Sequence, residues 1–225
     1  MVDDTEIGGG RREFLPTAWT QIRQARDADT TEARLAWDQL IGTYWKPVYF
    51  HIRRKGRSVE DAKDLTQAFF ASMMEREALA GVDPAKGRFR TFIRACLEHF
   101  LSNERDRRKA AKRAGDFDVR EAEGQFGAER DFEHDWAVTV LGRAFGQLKL
   151  QAPREARVVE AQRSTAKGLA ELAGELGTTE ANVKVLAHRG RKLLKELVLR
   201  ELRATVAKPG DEREELADLF RAFSL

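Results

Sequence analysis

AKGLAELAGELGTTEANVKVLAHRGRKLLK, residues 166–195, reads as two short helices around a tight turn, the second of them strongly basic. Leu169, Leu172, Ala173 and Leu176 recur at helical spacing and give the first helix one apolar face. Gly177 is placed to end that helix in a left-handed conformation, and Thr178 or Thr179 to cap the next, with Glu180 suiting the helix dipole of its first turn. The second helix is expected to bury Val183, Leu186 and Ala187, leaving Lys184, His188, Arg189, Arg191 and Lys192 for a polyanion. This is the outline of a helix-turn-helix, whose second helix fits a major groove. Any amphipathic helix pair with a glycine between its members shows the same pattern, and a basic side is often only solvated, so the rest of the chain has to decide.

Outward from this stretch, the 225-residue chain is 42% hydrophobic with only five prolines, a composition that favours an all-α fold of two helical domains. Its formal charge of +3 is mild, but the distribution is not. From Arg88 to Arg113 basic residues dominate, with Arg105, Arg107, Arg108, Lys109, Lys112 and Arg113 closing the run. Residues 114–135 reverse the sign: eight acids, from Asp116 to Asp135, face only Arg120 and Arg130, and with three glycines this reads as a mobile acidic linker. The lone Cys96 sits among Ile93, Leu97 and Phe100 as a small core residue. The N-terminus is acidic and then GlyGlyGly, unlike a signal peptide, and no later segment is apolar enough to span a bilayer, so a cytoplasmic protein without a membrane partner is expected.

Between Trp19 and Lys112 successive helices are expected. Thr31–Ile52 carries a dense apolar set, including Trp37 and Trp45 as core residues, with Pro47 as a kink or break. Ser58 caps a helix running to about Arg76, with Leu65, Phe69 and Met73 on one face and Asp61, Asp64 and Gln67 turned away from it towards a partner. Residues 81–90, GVDPAKGRFR, form a loop before a helix from Phe89 to Lys112. Phe89 and Phe92 followed by a basic tract suit the stacking of unpaired bases and the gripping of phosphates, whereas Phe89, Phe92 and Phe100 at helical spacing equally suit a core.

The order of these elements resembles a bacterial sigma factor of the sigma-70 family in its extracytoplasmic-function form, which retains regions two and four. DAKDLTQAFFASMME, residues 61–75, is similar to the polymerase-binding helix of region two. GRFRTFIRACLEHFLSNERDRRKAAKR, residues 87–113, resembles the promoter-melting and minus-ten helix, and residues 169–197 the helix-turn-helix of region four. RRKGRSVEDAKDLTQAFF and the tail VLRELRATVAKPGDEREELADLF resemble a planctomycete-type subgroup. The chain departs from the common pattern at Ala68, Phe92 and His99, where an acid, a tryptophan and an asparagine are usual, and residues 146–168, interrupted by Pro153, match the first half of region four poorly.

The resemblance implies a disordered tail at 1–16, a region-two domain at 17–113, the acidic linker at 114–135, a region-four domain at 136–208 and a C-terminal extension helix at 209–225. It implies a protein that is not an enzyme, uses no cofactor or metal, binds the clamp helices and flap of core RNA polymerase, and directs promoter recognition and opening. Asp61, Asp64 and Gln67 would meet polymerase; Arg88, Phe89, Arg90, Phe92, Arg94, His99, Asn103, Arg107 and Arg108 would hold the minus-ten strand. Thr179, Glu180, Asn182, Lys184, His188, Arg189 and Arg191 would meet the minus-thirty-five element. An anti-sigma factor or other regulator is a further expected partner. The alternatives are a stand-alone helix-turn-helix regulator that binds duplex DNA without polymerase, and a helical adaptor that binds no DNA. Leu216, Leu219, Phe220 and Phe223 predict one apolar face on the extension helix, which would pack on region four, mask the recognition helix or dock a regulator.

Overall fold

The computed structural model describes residues 31–75, 88–112, 128–164, 168–203, 206 and 212–223. Among them the chain is all-helical: α1 (Thr31–Arg54), α2 (Val59–Glu75), α3 (Phe89–Lys112), α4 (Ala128–Gln151), α5 (Pro153–Ser164), α6 (Leu169–Leu176), α7 (Glu180–Arg203) and α8 (Glu212–Phe223). The tail at 1–16, the loop at 81–87 and residues 114–127 of the expected linker lie outside the described residues.

Helices α1 to α3 start and stop where capping and periodicity place them. The Asp61 amide donates to Ser58 Oγ at 3.0 Å, capping α2, and Gly56, at φ 80°, turns the chain out of α1. Pro47 neither breaks α1 nor leaves the core; the helix is continuous through it and its ring is buried. Its missing amide costs one hydrogen bond, which the surrounding packing offsets: Tyr44, Val48 and Ile52 on the same side are almost wholly buried. Phe89 meets Tyr44 edge-on at 5.4 Å and Phe100 meets Phe69 at 5.7 Å, so α3 closes over α1 and α2. Trp45 stacks on Phe70 from the partly buried rim.

The acidic segment is the first point of difference. Residues 128–135 are the opening turns of α4, not linker, and Phe132 within them and Trp136 just beyond are fully buried. The reason is that its charges are answered: Arg54 reaches Asp135 at 2.6 Å and Asp131 at 3.5 Å, and Glu133 pairs with Arg90. Helix α4 packs on α1 along its length and also on α5, α7 and α8. The larger apolar core therefore runs from Ala36 through Leu97 to Leu148, Leu197, Leu202 and Leu219 without dividing at residue 136. Glu201, buried on α7, accepts from Arg143 Nε at 2.7 Å and Gln147 Nε2 at 2.9 Å and so fixes α7 to α4.

A smaller core gathers Val158, Leu172, Ala173, Val183, Leu186 and Ala187 from α5, α6 and α7. Pro153 starts α5 rather than disrupting it, since the first position of a helix needs no donor there. Helix α7, 24 residues long, has its first half in this small core and its second half in the larger one. At Gly190 α5 and α7 approach so closely that a Cβ would lie 2.7 Å from Val159 Cγ2 and 3.1 Å from the Glu155 carbonyl oxygen. No described helix is long and apolar enough to cross a membrane.

Candidate functional site

Two basic surfaces emerge, one on α7 and one on α3. Leu172 and Ala173 hold α6 against α7, and Gly177, at φ 59° and ψ 44°, ends α6 in the left-handed region. The Thr178 amide donates to the Ala173 carbonyl at 2.9 Å, closing the turn as a Schellman motif. Thr179 is the cap of α7: its Oγ1 accepts from the Asn182 amide at 3.2 Å, while Asn182 Nδ2 donates to Thr178 Oγ1 at 2.7 Å. The turn is thus tied twice. Val183, Leu186, Ala187 and Gly190 are buried, which rotates Lys184, His188 and Arg191 onto one exposed stripe and Arg189 and Lys192 onto the next. Arg191 reaches back to Gln162 of α5 at 3.0 Å. Glu180 and Asn182 stand exposed at the leading end.

On α2, Asp64 and Gln67 are exposed, whereas Asp61 is half-buried beside its Ser58 cap and 3.6 Å from Arg108. Along α3, His99 is exposed and accepts from Asn103 Nδ2 at 3.3 Å, and Arg107 pairs with Glu104 at 2.8 Å. Arg105 and Lys109 face water beside them. Arg94 and Phe92 are half-buried, Phe92 against the core and tilted on Phe89 at 6.0 Å. The His51 imidazole, hydrogen-bonded to Glu98 at 2.7 Å, holds that carboxyl well below the usual range, at about 2, with Lys55 at 2.9 Å adding to the effect. Burial pushes the partly enclosed Cys96 thiol up.

The start of α3 departs from expectation. Phe89 is buried in the core and cannot stack on a base, because it fills the space beside Tyr44. Arg90 is 3% exposed, lies 4.4 Å over the Trp136 ring, and is enclosed by Glu133 of α4 and by Glu215 and Asp218 of α8. Arg88, partly exposed, pairs with Asp218 and approaches Glu215 at 3.9 Å. Burial pushes the Glu215 carboxyl above the usual range, against the pull of Arg90 and Arg88. Helix α8 accordingly turns only part of its expected face inward. Leu219 is buried and Leu216 partly so, but Phe220 and Phe223 are exposed, and Glu215 and Asp218 take the inner positions.

Sequence reasoning missed Glu133, Trp136, Glu215 and Asp218 as partners of the arginines. A signal was present for one of them: Arg90 precedes Ile93 by three and Leu97 by seven, so helical geometry puts it on their inward side. The arrangement as a whole offers exposed cations on a capped, rigid helix for phosphate and base-edge contact, a second basic tract on the outer half of α3, and an acidic and amide pair on α2. No family model, curated protein or solved structure matches the chain.

Proposed function

We propose that the chain is a promoter-recognition subunit of bacterial RNA polymerase, a small sigma factor of the sigma-70 type acting in the cytoplasm. The observation that carries the reading is the α7 stripe of Lys184, His188 and Arg191, exposed on a helix whose opposite side is locked against α5 and α6. Locked helices read grooves well, since little order remains to be lost on binding. Asn182 suits an adenine edge and the cations suit guanine or phosphate. In this reading α1–α3 serve as region two and the rest of α4 from residue 136, with α5–α7, as region four. Asp64 and Gln67 supply the polymerase contact, where acids and amides pair with arginines. His99, Asn103 and Arg107 follow one flank of α3 and Arg94 and Arg108 the other, and in this reading both flanks hold the strand.

Promoter-specific transcription by purified core polymerase, with and without the protein, tests this on genomic fragments. Initiation should require the intact chain and be lost in Asp64→Arg. Binding of duplex DNA by the protein alone, as a dimer on a palindrome and with no initiation, would instead identify a stand-alone regulator. Unchanged activity after neutralising Lys184, Arg189 and Arg191 would remove a DNA role for α7.

A further inference from the structure

Arg88 and Arg90 stand at the start of a basic helix, yet an acidic helix from the far end of the chain already occupies them. Glu215 and Asp218 lie one turn apart on α8, so their Cβ atoms are about 5–6 Å apart, and they present two adjacent anions to two adjacent arginines. A nucleic-acid strand presents neighbouring phosphates in the same way. Arg90 is 3% exposed, covered by α8, by Glu133 and by the Trp136 ring beneath it, so no external anion reaches it while α8 stays.

The hold on α8 is of a kind that exchanges. The helix has only 12 residues, near the lower limit for helices that persist unaided. Its fully buried apolar content is Leu219, while Phe220 and Phe223 remain exposed. Beyond Leu219, the part-buried Leu216 and Ala222 and an edge contact of Phe223 with His134 at 5.6 Å, its seat is charge: Glu215 and Asp218 on the arginines, and Glu212 with Arg203 at 3.3 Å at the rim. Buried ion pairs give back much of their Coulomb energy as desolvation. A phosphate that replaces the carboxylates keeps the guanidinium groups paired and returns the carboxylates to water.

We propose that α8 is an internal acidic ligand for the Arg88–Arg90 site, and that single-stranded nucleic-acid phosphate displaces it. The proposal deepens the sigma reading, resting on the role in strand binding that the sigma-factor resemblance implies for Arg88 and Arg90.

The test uses full-length protein and a labelled single-stranded oligodeoxythymidylate, with no polymerase. The double variant Glu215→Gln/Asp218→Asn is compared with Glu196→Gln/Glu214→Gln, which makes the same charge change at water-facing positions. The first should bind about tenfold more tightly than the second. Its plot of log K against log salt should be steeper by about 1.4, two added phosphate contacts at ~0.7 each for single strands. Equal behaviour of the two variants, or no binding by either, overturns the proposal. A second measurement needs no variant: in the wild-type chain saturated with the oligonucleotide, amides of residues 212–223 should lose hydrogen-exchange protection, and retained protection overturns it. Release of α8 without promoter-dependent initiation would sink the sigma reading alone. Initiation that needs the chain, with α8 unresponsive, would sink this proposal alone.

Discussion

The two basic helices put equal-looking cations to opposite uses. At the start of α7, Lys184, His188, Arg189 and Arg191 all face outward, and the small core beneath is built from aliphatic side chains alone. At the start of α3, Arg88 and Arg90 are drawn against three carboxylates and a tryptophan. The sign of a charge is written in the chain locally, but whether it is already answered depends on residues more than a hundred positions away. The α7 surface is therefore ready for a ligand in this state, and the Arg88–Arg90 surface is not.

The comparison breaks most sharply at Arg90. Arg90→Ala leaves Glu215 and Asp218 buried without their main partner and should cost about 3–5 kcal/mol, read as a lowered urea midpoint. A loss below about 1 kcal/mol would mean that the cluster is solvated and that Arg90 resembles the α7 cations after all. Gly190→Ala pushes a methyl group into Val159 and the Glu155 backbone. The overpacking cost less alanine's helical advantage leaves a loss of roughly 1–2 kcal/mol in the same assay. Unchanged stability would show that α5 and α7 are not held at this spacing. Thr179→Ala removes the cap that orients the first turn of α7 and should cost about 1 kcal/mol. Smallest in stability is Lys184→Gln/Arg191→Gln, which should stay within about ±0.5 kcal/mol of wild type. In the proposed function it lowers the salt slope of duplex binding by about 1.8, two phosphate contacts at ~0.9 each. A large stability change there would mean that these side chains belong to the fold.

Much of this molecule can be read before it is seen, and the boundary of what can is physical. The bounds of α2 and α3, the Ser58 and Thr179 caps and the left-handed Gly177 follow from local chemistry, where a few neighbouring residues settle the backbone. The α7 stripe follows from 3.6-residue periodicity. What local chemistry misjudges is the acidic stretch at 128–135, because isolated acids favour solvent and only Arg54 and Arg90, distant in sequence, make their helix a packed one. The inner face of α8 is right at Leu216 and Leu219 and fails beyond them for the same reason. Hydrophobic spacing selects Phe220 and Phe223, whereas the buried arginines select Glu215 and Asp218. Pro153 shows the converse, a residue read as an interruption that marks a helix start.

Helix α7 belongs to both cores, and that gives it a mechanical property. Its second half is clamped by Leu197, Val198 and Leu202 in the larger core and by the Glu201 bonds to α4, while the basic stripe rides on the first half. From Leu197 to Val183 the rod extends about 21 Å at 1.5 Å per residue, so tilting the rear seat by ~10° displaces the front by roughly 3–4 Å. That is about one base-pair step. In the proposed function, small adjustments in the packing of α4 against α7 would act as a lever on where the stripe lands along a duplex, so shape changes far from that contact would retune its register.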